Sequence, residues 1–105
     1  MLAGWSLYKY DGQWHEESLS EASLSDTSLV IELNRDSDTV TLTTASKDGI
    51  RYSGDYRYRE GSNSNGEAYF DRYQGPKGDA FVGEWKESDK SRGEWIIKIT
   101  PHESV

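Results

Sequence analysis

With 105 residues, a net charge of −7 and no cysteine, the chain has room for one domain with a modest core, and for no disulfide, thiol nucleophile or thiolate metal ligand. The acidic balance opposes binding to a nucleic-acid polymer or to an anionic membrane surface. No apolar run approaches the ~20 residues of a membrane span, and "MLAGWSLYKYDG" lacks the basic-then-apolar order of a secretory signal, so a cytoplasmic location is expected.

Period-two alternation runs through the chain, and helical periodicity is scarce. Eight strands are expected. The first covers 3–10, "AGWSLYKY". "DG" at 11–12 favours a type I′ turn, whose central residues both need positive φ. The return strand is 13–19, and the Ser-rich stretch 20–28 reads as irregular, with room for one short helical turn. Strands 29–34 and 39–44 form a hairpin around "RDSD". A long strand, 49–60, leads into the loop "GSNSN" at 61–65. Strand 66–73, the turn "QGPKG" and the hairpin 79–87 with 91–100 complete the series. Pro101, which has no N–H to donate, ends the last ladder. Residues 1–101 form one domain and 102–105 a tail.

Hydrophobic residues make up only 33% of the chain, so the core leans on four Trp, seven Tyr and two Phe. Parity assigns the faces. Ile50, Tyr52, Gly54, Tyr56 and Tyr58 share one side of their strand; Arg51, Asp55, Arg57 and Arg59 share the other. Phe81, Gly83 and Trp85 align inward, as do Gly93, Trp95, Ile97 and Ile99. If Lys86 and Arg92 close the last hairpin, Trp85 falls opposite Gly93 and Gly83 opposite Trp95. Each ring then covers a bare backbone, as in aromatic rescue of glycine. Pairing Tyr56 with Gly66 likewise sets Gly54 opposite Ala68 and Tyr52 opposite Phe70. Inner-face glycines let a strand coil sharply, and sequential short-loop strands close most simply into an up-and-down antiparallel β-barrel. An open aromatic-faced meander is the alternative.

Motifs for catalysis are missing from this pattern. His15 and His102 lie far apart, and no His/Glu spacing reads as a metal site. "GSNSNG" lacks the lysine and helix of a phosphate loop, and the carboxylates read as a solvated face. No enzyme activity, metal or cofactor is expected. Arg51, Arg57 and Arg59 fall on the outward parity. Arg72 shares the face of Phe70, and pairing Phe70 with Phe81 sets it opposite Asp79 as a cross-strand ion pair. Lys9 shares parity with Trp5 and Leu7, which reads as an inward lysine at a barrel mouth, able to hold an acidic ligand group or to snorkel to water. The interior aromatics are Trp14, Tyr52, Tyr56, Tyr58, Phe70, Phe81, Trp85 and Trp95. They make either a packed core or a stacking pocket for a flat ligand, and Tyr56 and Tyr58, nearest an open end, suit the pocket best.

Three resemblances add to this reading. The layout, with its early "AGW", resembles the small calycin-type barrels, the lipocalin and avidin relatives, and implies a small-molecule pocket inside the barrel. "YSGDYRY…GEAYFD…FVGEW…RGEWIIKI", over 52–99, is similar to the minimal β-barrels of bacterial anti-phage systems that sense cyclic nucleotides. "DGIRYSGDY" and "KGDAFVGEW" resemble the core of MORN repeats. The expected function is therefore non-catalytic binding of a planar or nucleotide-like small molecule, with Lys9, Trp14, Tyr52, Tyr56, Tyr58, Phe70 and Arg72 as candidate ligand contacts. A protein partner docked on an exposed strand face or on the loops is the alternative.

Overall fold

The computed structural model describes residues 2–61, 65–87 and 90–101. Eight antiparallel strands close into a barrel in sequence order: β1 (Leu2–Tyr10), β2 (Gln13–Leu24), β3 (Ser28–Arg35), β4 (Asp38–Ser46), β5 (Arg51–Tyr58), β6 (Gly66–Gly75), β7 (Gly78–Glu87) and β8 (Arg92–Pro101). β8 pairs back onto β1, so no edge is left to pair with another chain. The tail, with His102, and parts of the loops "GSNSN" and "ESDKS" lie outside the described residues.

Local chemistry fixes the turns. Asp11 and Gly12 both take positive φ, as the tight hairpin requires. "RDSD" is tighter than a four-residue loop. Arg35 and Asp38 pair, leaving Asp36 and Ser37 as the turn, again both at positive φ. The Asp38 carboxylate then accepts the Thr39 and Glu60 amides and ties the start of the next loop to this turn.

The Ser-rich stretch carries no helical turn. β2 runs on to Leu24 through a bulge between Leu19 and Glu21. There the Ser20 hydroxyl donates to the Glu32 carbonyl, 3.0 Å away. The extra residue changes the phase of the strand. Glu17 and Leu19 therefore point inward before it, and Ala22 and Leu24 after it.

The two expected glycine registers are present. Trp85 faces Gly93 and Gly83 faces Trp95; Tyr56 faces Gly66, Gly54 faces Ala68 and Tyr52 faces Phe70. At Gly83 the glycine serves both neighbours. It lies opposite Phe70 on one side and Trp95 on the other, and those rings meet edge-on at 5.6 Å. A Cβ there would run into the Tyr69 carbonyl of β6. Gly93 lies beneath Trp85, whose indole nitrogen would be 2.8 Å from an added Cβ. Tyr10 stacks on the same indole at 6.1 Å.

Two assignments change. β6 and β7 turn through Pro76 and Lys77 alone, so Phe70 pairs with Gly83 and Arg72 with Phe81. That shift of two residues keeps every side chain on its face. On β1 the inward parity is Gly4, Ser6 and Tyr8, and Trp5 is exposed. Ser6 is small where the Trp95 indole needs space: the indole Nε1 donates to Ser6 Oγ at 3.2 Å.

Candidate functional site

The barrel interior is not uniform along its axis. At the end carrying the β2–β3, β4–β5 and β6–β7 connections it is filled. Tyr52, Phe81, Ile99 and Leu29 are almost fully buried, with Tyr52 edge-on to Phe81 at 5.2 Å. Arg72 closes that end. Its Nε and Nη2 donate to Asp79, and its Nη1 donates to the Tyr52 hydroxyl and to Asp26 of the β2–β3 connection. The ion pair expected with Asp79 therefore forms, as a diagonal rather than a directly facing pair.

The opposite end holds a cavity of about 350 Å³, walled by Tyr8, Tyr10, Tyr56, Tyr58, Trp85 and Trp95, with His15, Arg35, Asp36 and Glu87. Its floor is a buried ion pair. Arg35 donates through Nε and Nη2 to both oxygens of Glu17, each at 2.6 Å, and through Nη1 to the Tyr58 hydroxyl at 2.8 Å. Ser6 adds a hydrogen bond to Glu17, and Trp95 binds Ser6. The guanidinium lies 4.1 Å from the centre of the Tyr8 ring, whose other neighbour is His15, stacked at 4.9 Å. Burial lowers the Arg35 pKa, but the hydrogen bonds and charge of Glu17 outweigh it and leave it raised.

Higher in the cavity, the Tyr56 hydroxyl donates to Glu87 Oε2 at 2.8 Å. Burial raises the Tyr56 pKa, and the hydrogen bond and charge of Glu87 raise it further, so this phenol stays protonated and donating. The Trp85 indole is pinned to β1 through the Lys9 carbonyl.

Of the seven candidate contacts, Tyr56 and Tyr58 reach this cavity. Tyr52 and Phe70 are packed in the core, and Arg72 seals the far end. Lys9 and Trp14 are corrected: both stand outside the barrel. The type I′ turn makes them a cross-strand pair, with the Lys9 ammonium 5.8 Å from the centre of the Trp14 ring. The inward residues beside them are Tyr8 and His15. Arg35, Glu17, Tyr8 and Glu87 did not stand out in the sequence. Arg35 and Glu87 looked like loop residues, and Glu17 looked like one more exterior carboxylate. The signal available was the "DG" turn, whose register sets Ser6 opposite Glu17 and Tyr8 opposite His15.

No protein-family profile matches the chain, and no curated protein does. Among solved structures, a redesigned beta barrel is similar, with a TM-score of 0.61 and 15% identity, over 97% of this chain and 90% of that one. At that identity the likeness concerns the fold alone. The chain is an all-β protein, a closed eight-stranded antiparallel barrel.

Proposed function

We propose that the protein is a non-catalytic binding protein that takes a small planar ligand into the mouth cavity. The observation that carries this reading is the contrast within one interior: a space of about 350 Å³ with six aromatic rings in its wall, beside an end filled to near-complete burial. Aromatic faces with a few placed polar groups suit a flat ligand. The Arg35 fork is engaged by Glu17, so a nucleobase-like ring suits the site better than a phosphate. The likeness to calycin-type and cyclic-nucleotide-sensing barrels supports an interior ligand. The MORN-like spacing falls on β5 and β7 of one closed barrel.

The test is a screen of flat aromatic compounds, read by tryptophan fluorescence and by Tm. A compound present at about 100 times its Kd adds about 2.7 kcal/mol of stability, enough for a clear rise in Tm. Tyr56→Ala should abolish that response. Flat responses across a broad library would overturn the reading.

An exterior stripe favours a second reading, a protein-docking face. Leu7, Ile96 and Val82 form one row across β1, β8 and β7, flanked by the exposed rings of Trp5, Tyr69 and Tyr73. This reading expects a partner whose capture is lost with Val82→Glu and kept with Tyr56→Ala. The reverse pattern returns the function to the cavity.

A further inference from the structure

We infer that the mouth cavity selects planar organic cations, holding a ligand N–H against the Glu87 carboxylate between aromatic walls. This rests on the binding reading above and adds the charge of the ligand to it.

Of the ionised groups at the cavity, Arg35 is cancelled by Glu17 in a two-pronged ion pair, with both side chains about one-tenth exposed. Glu87 is not cancelled in this way. Its Oε2 accepts from Tyr56. Among the described residues its Oε1 accepts no hydrogen bond, and no lysine or arginine lies within ion-pair distance of it. Lys86 and Lys90 line an outer-surface groove with it, and Lys90 meets it through its backbone amide, which donates to the Glu87 carbonyl. A half-buried carboxylate with an open oxygen favours a charged donor over a neutral one, because the attraction of opposite charges adds to the hydrogen bond and is less screened there than in water.

The walls point the same way. The faces of Tyr and Trp rings are electronegative and attract cations. The chain already uses them so: the Arg35 guanidinium sits 4.1 Å from the Tyr8 ring centre and 5.9 Å from those of Tyr58 and Trp95. Tyr10 and Trp85, inclined at only 28° to each other, make a flat-sided wall. A delocalised cation suits it better than a compact ammonium, which loses more hydration on entering.

The test uses three probes of nearly one shape: benzamidine (cationic), benzamide (neutral) and benzoate (anionic). Their binding is read from the indole N–H signals of Trp85 and Trp95 in two-dimensional NMR. Benzamidine should bind about tenfold more tightly than benzamide, with benzoate weakest. Glu87→Gln keeps an acceptor for Tyr56 and removes the charge. It should bring benzamidine down to about the level of benzamide and weaken benzamide much less. Equal binding of the three probes, a preference for benzoate, or a benzamidine preference that survives Glu87→Gln would overturn the inference and leave the cavity reading standing. Silence of both indoles toward all three probes would count against both.

Discussion

Each end of the barrel places one inward arginine against a carboxylate and a tyrosine hydroxyl of β5, yet one end is sealed and the other open. The difference lies in where each arginine reaches. Arg72 stands on β6 and binds Asp26, beyond the end of β2, four strands away on the far side of the barrel. It spans the opening above Phe81 and Tyr52. Arg35 stands on β3 and binds Glu17 on the adjacent strand. Its guanidinium rests on Tyr8 and donates to Tyr58, forming a floor that leaves the space above it clear. A charged pair can therefore plug a small barrel or floor a cavity, depending on how many strands it spans.

The sharpest way to break this comparison is to strand a charge at each end. Glu17→Leu leaves the Arg35 guanidinium buried without its partner, which should cost about 3–5 kcal/mol. The double variant Glu17→Leu with Arg35→Met should recover most of that, because removing both charges also removes their desolvation cost. Arg72→Leu should cost less, about 1–3 kcal/mol. It strands Asp79, but the Tyr52 hydroxyl keeps its bond to the Ser25 carbonyl, and Asp26 is 90% exposed and regains water. Urea denaturation of the four proteins measures the order. If Arg72→Leu is the more damaging single change, the mouth floor is not the more deeply committed pair.

The glycines give a smaller effect with a built-in control. Gly83→Ala drives a methyl into the backbone of β6 between Phe70 and Trp95, and should cost about 1–3 kcal/mol as overpacking. Gly93→Val, beneath Trp85 at the mouth, falls in the same range. Gly75→Ala, where the nearest atom would be 3.5 Å away, should be close to neutral. Should Gly83→Ala and Gly75→Ala melt alike, the inner-face glycines do not set the curvature.

Much of the barrel was legible because its determinants are local. The "DG" turn, the alternation on β5 and the Gly-x-Trp spacing of the last hairpin each fix a register within a few residues. Less of the cavity was legible, because parity alone does not say which side of a strand is inside. On β1 both sides carry rings, and Trp5 and Leu7 look more core-like than Ser6. The choice is made by β8, some ninety residues away, where Trp95 needs the room beside Ser6. The bulge in β2 hid the rest. It lets Glu17 and Ala22, of opposite parity, face the same interior. Arg35 and Glu87 sit at strand ends, where loop and wall look alike in sequence.

The weakest expected effect concerns alkaline pH and isolates the mouth. Burial raises the pKa of Tyr56, and Glu87 adds to it; burial also raises those of Tyr8 and Tyr58, against an opposing pull from Arg35. A raised phenol pKa means that the folded state keeps a proton the unfolded chain has begun to release. The contribution is fully present below the ordinary value of 10.0 and is lost as pH rises above it. Stability should thus be level in this respect up to about pH 10 and fall beyond it, each such phenol adding at most about 1.4 kcal/mol per pH unit to the slope. Tyr56→Phe removes one of these phenols. It should lower stability by about 1 kcal/mol at neutral pH, through the lost bond to Glu87, and flatten the alkaline decline by one proton's worth. An unchanged slope in that variant would mean that the phenol ionises in the folded protein as readily as in the unfolded chain, and that Glu87 does not hold it in the wall of the cavity.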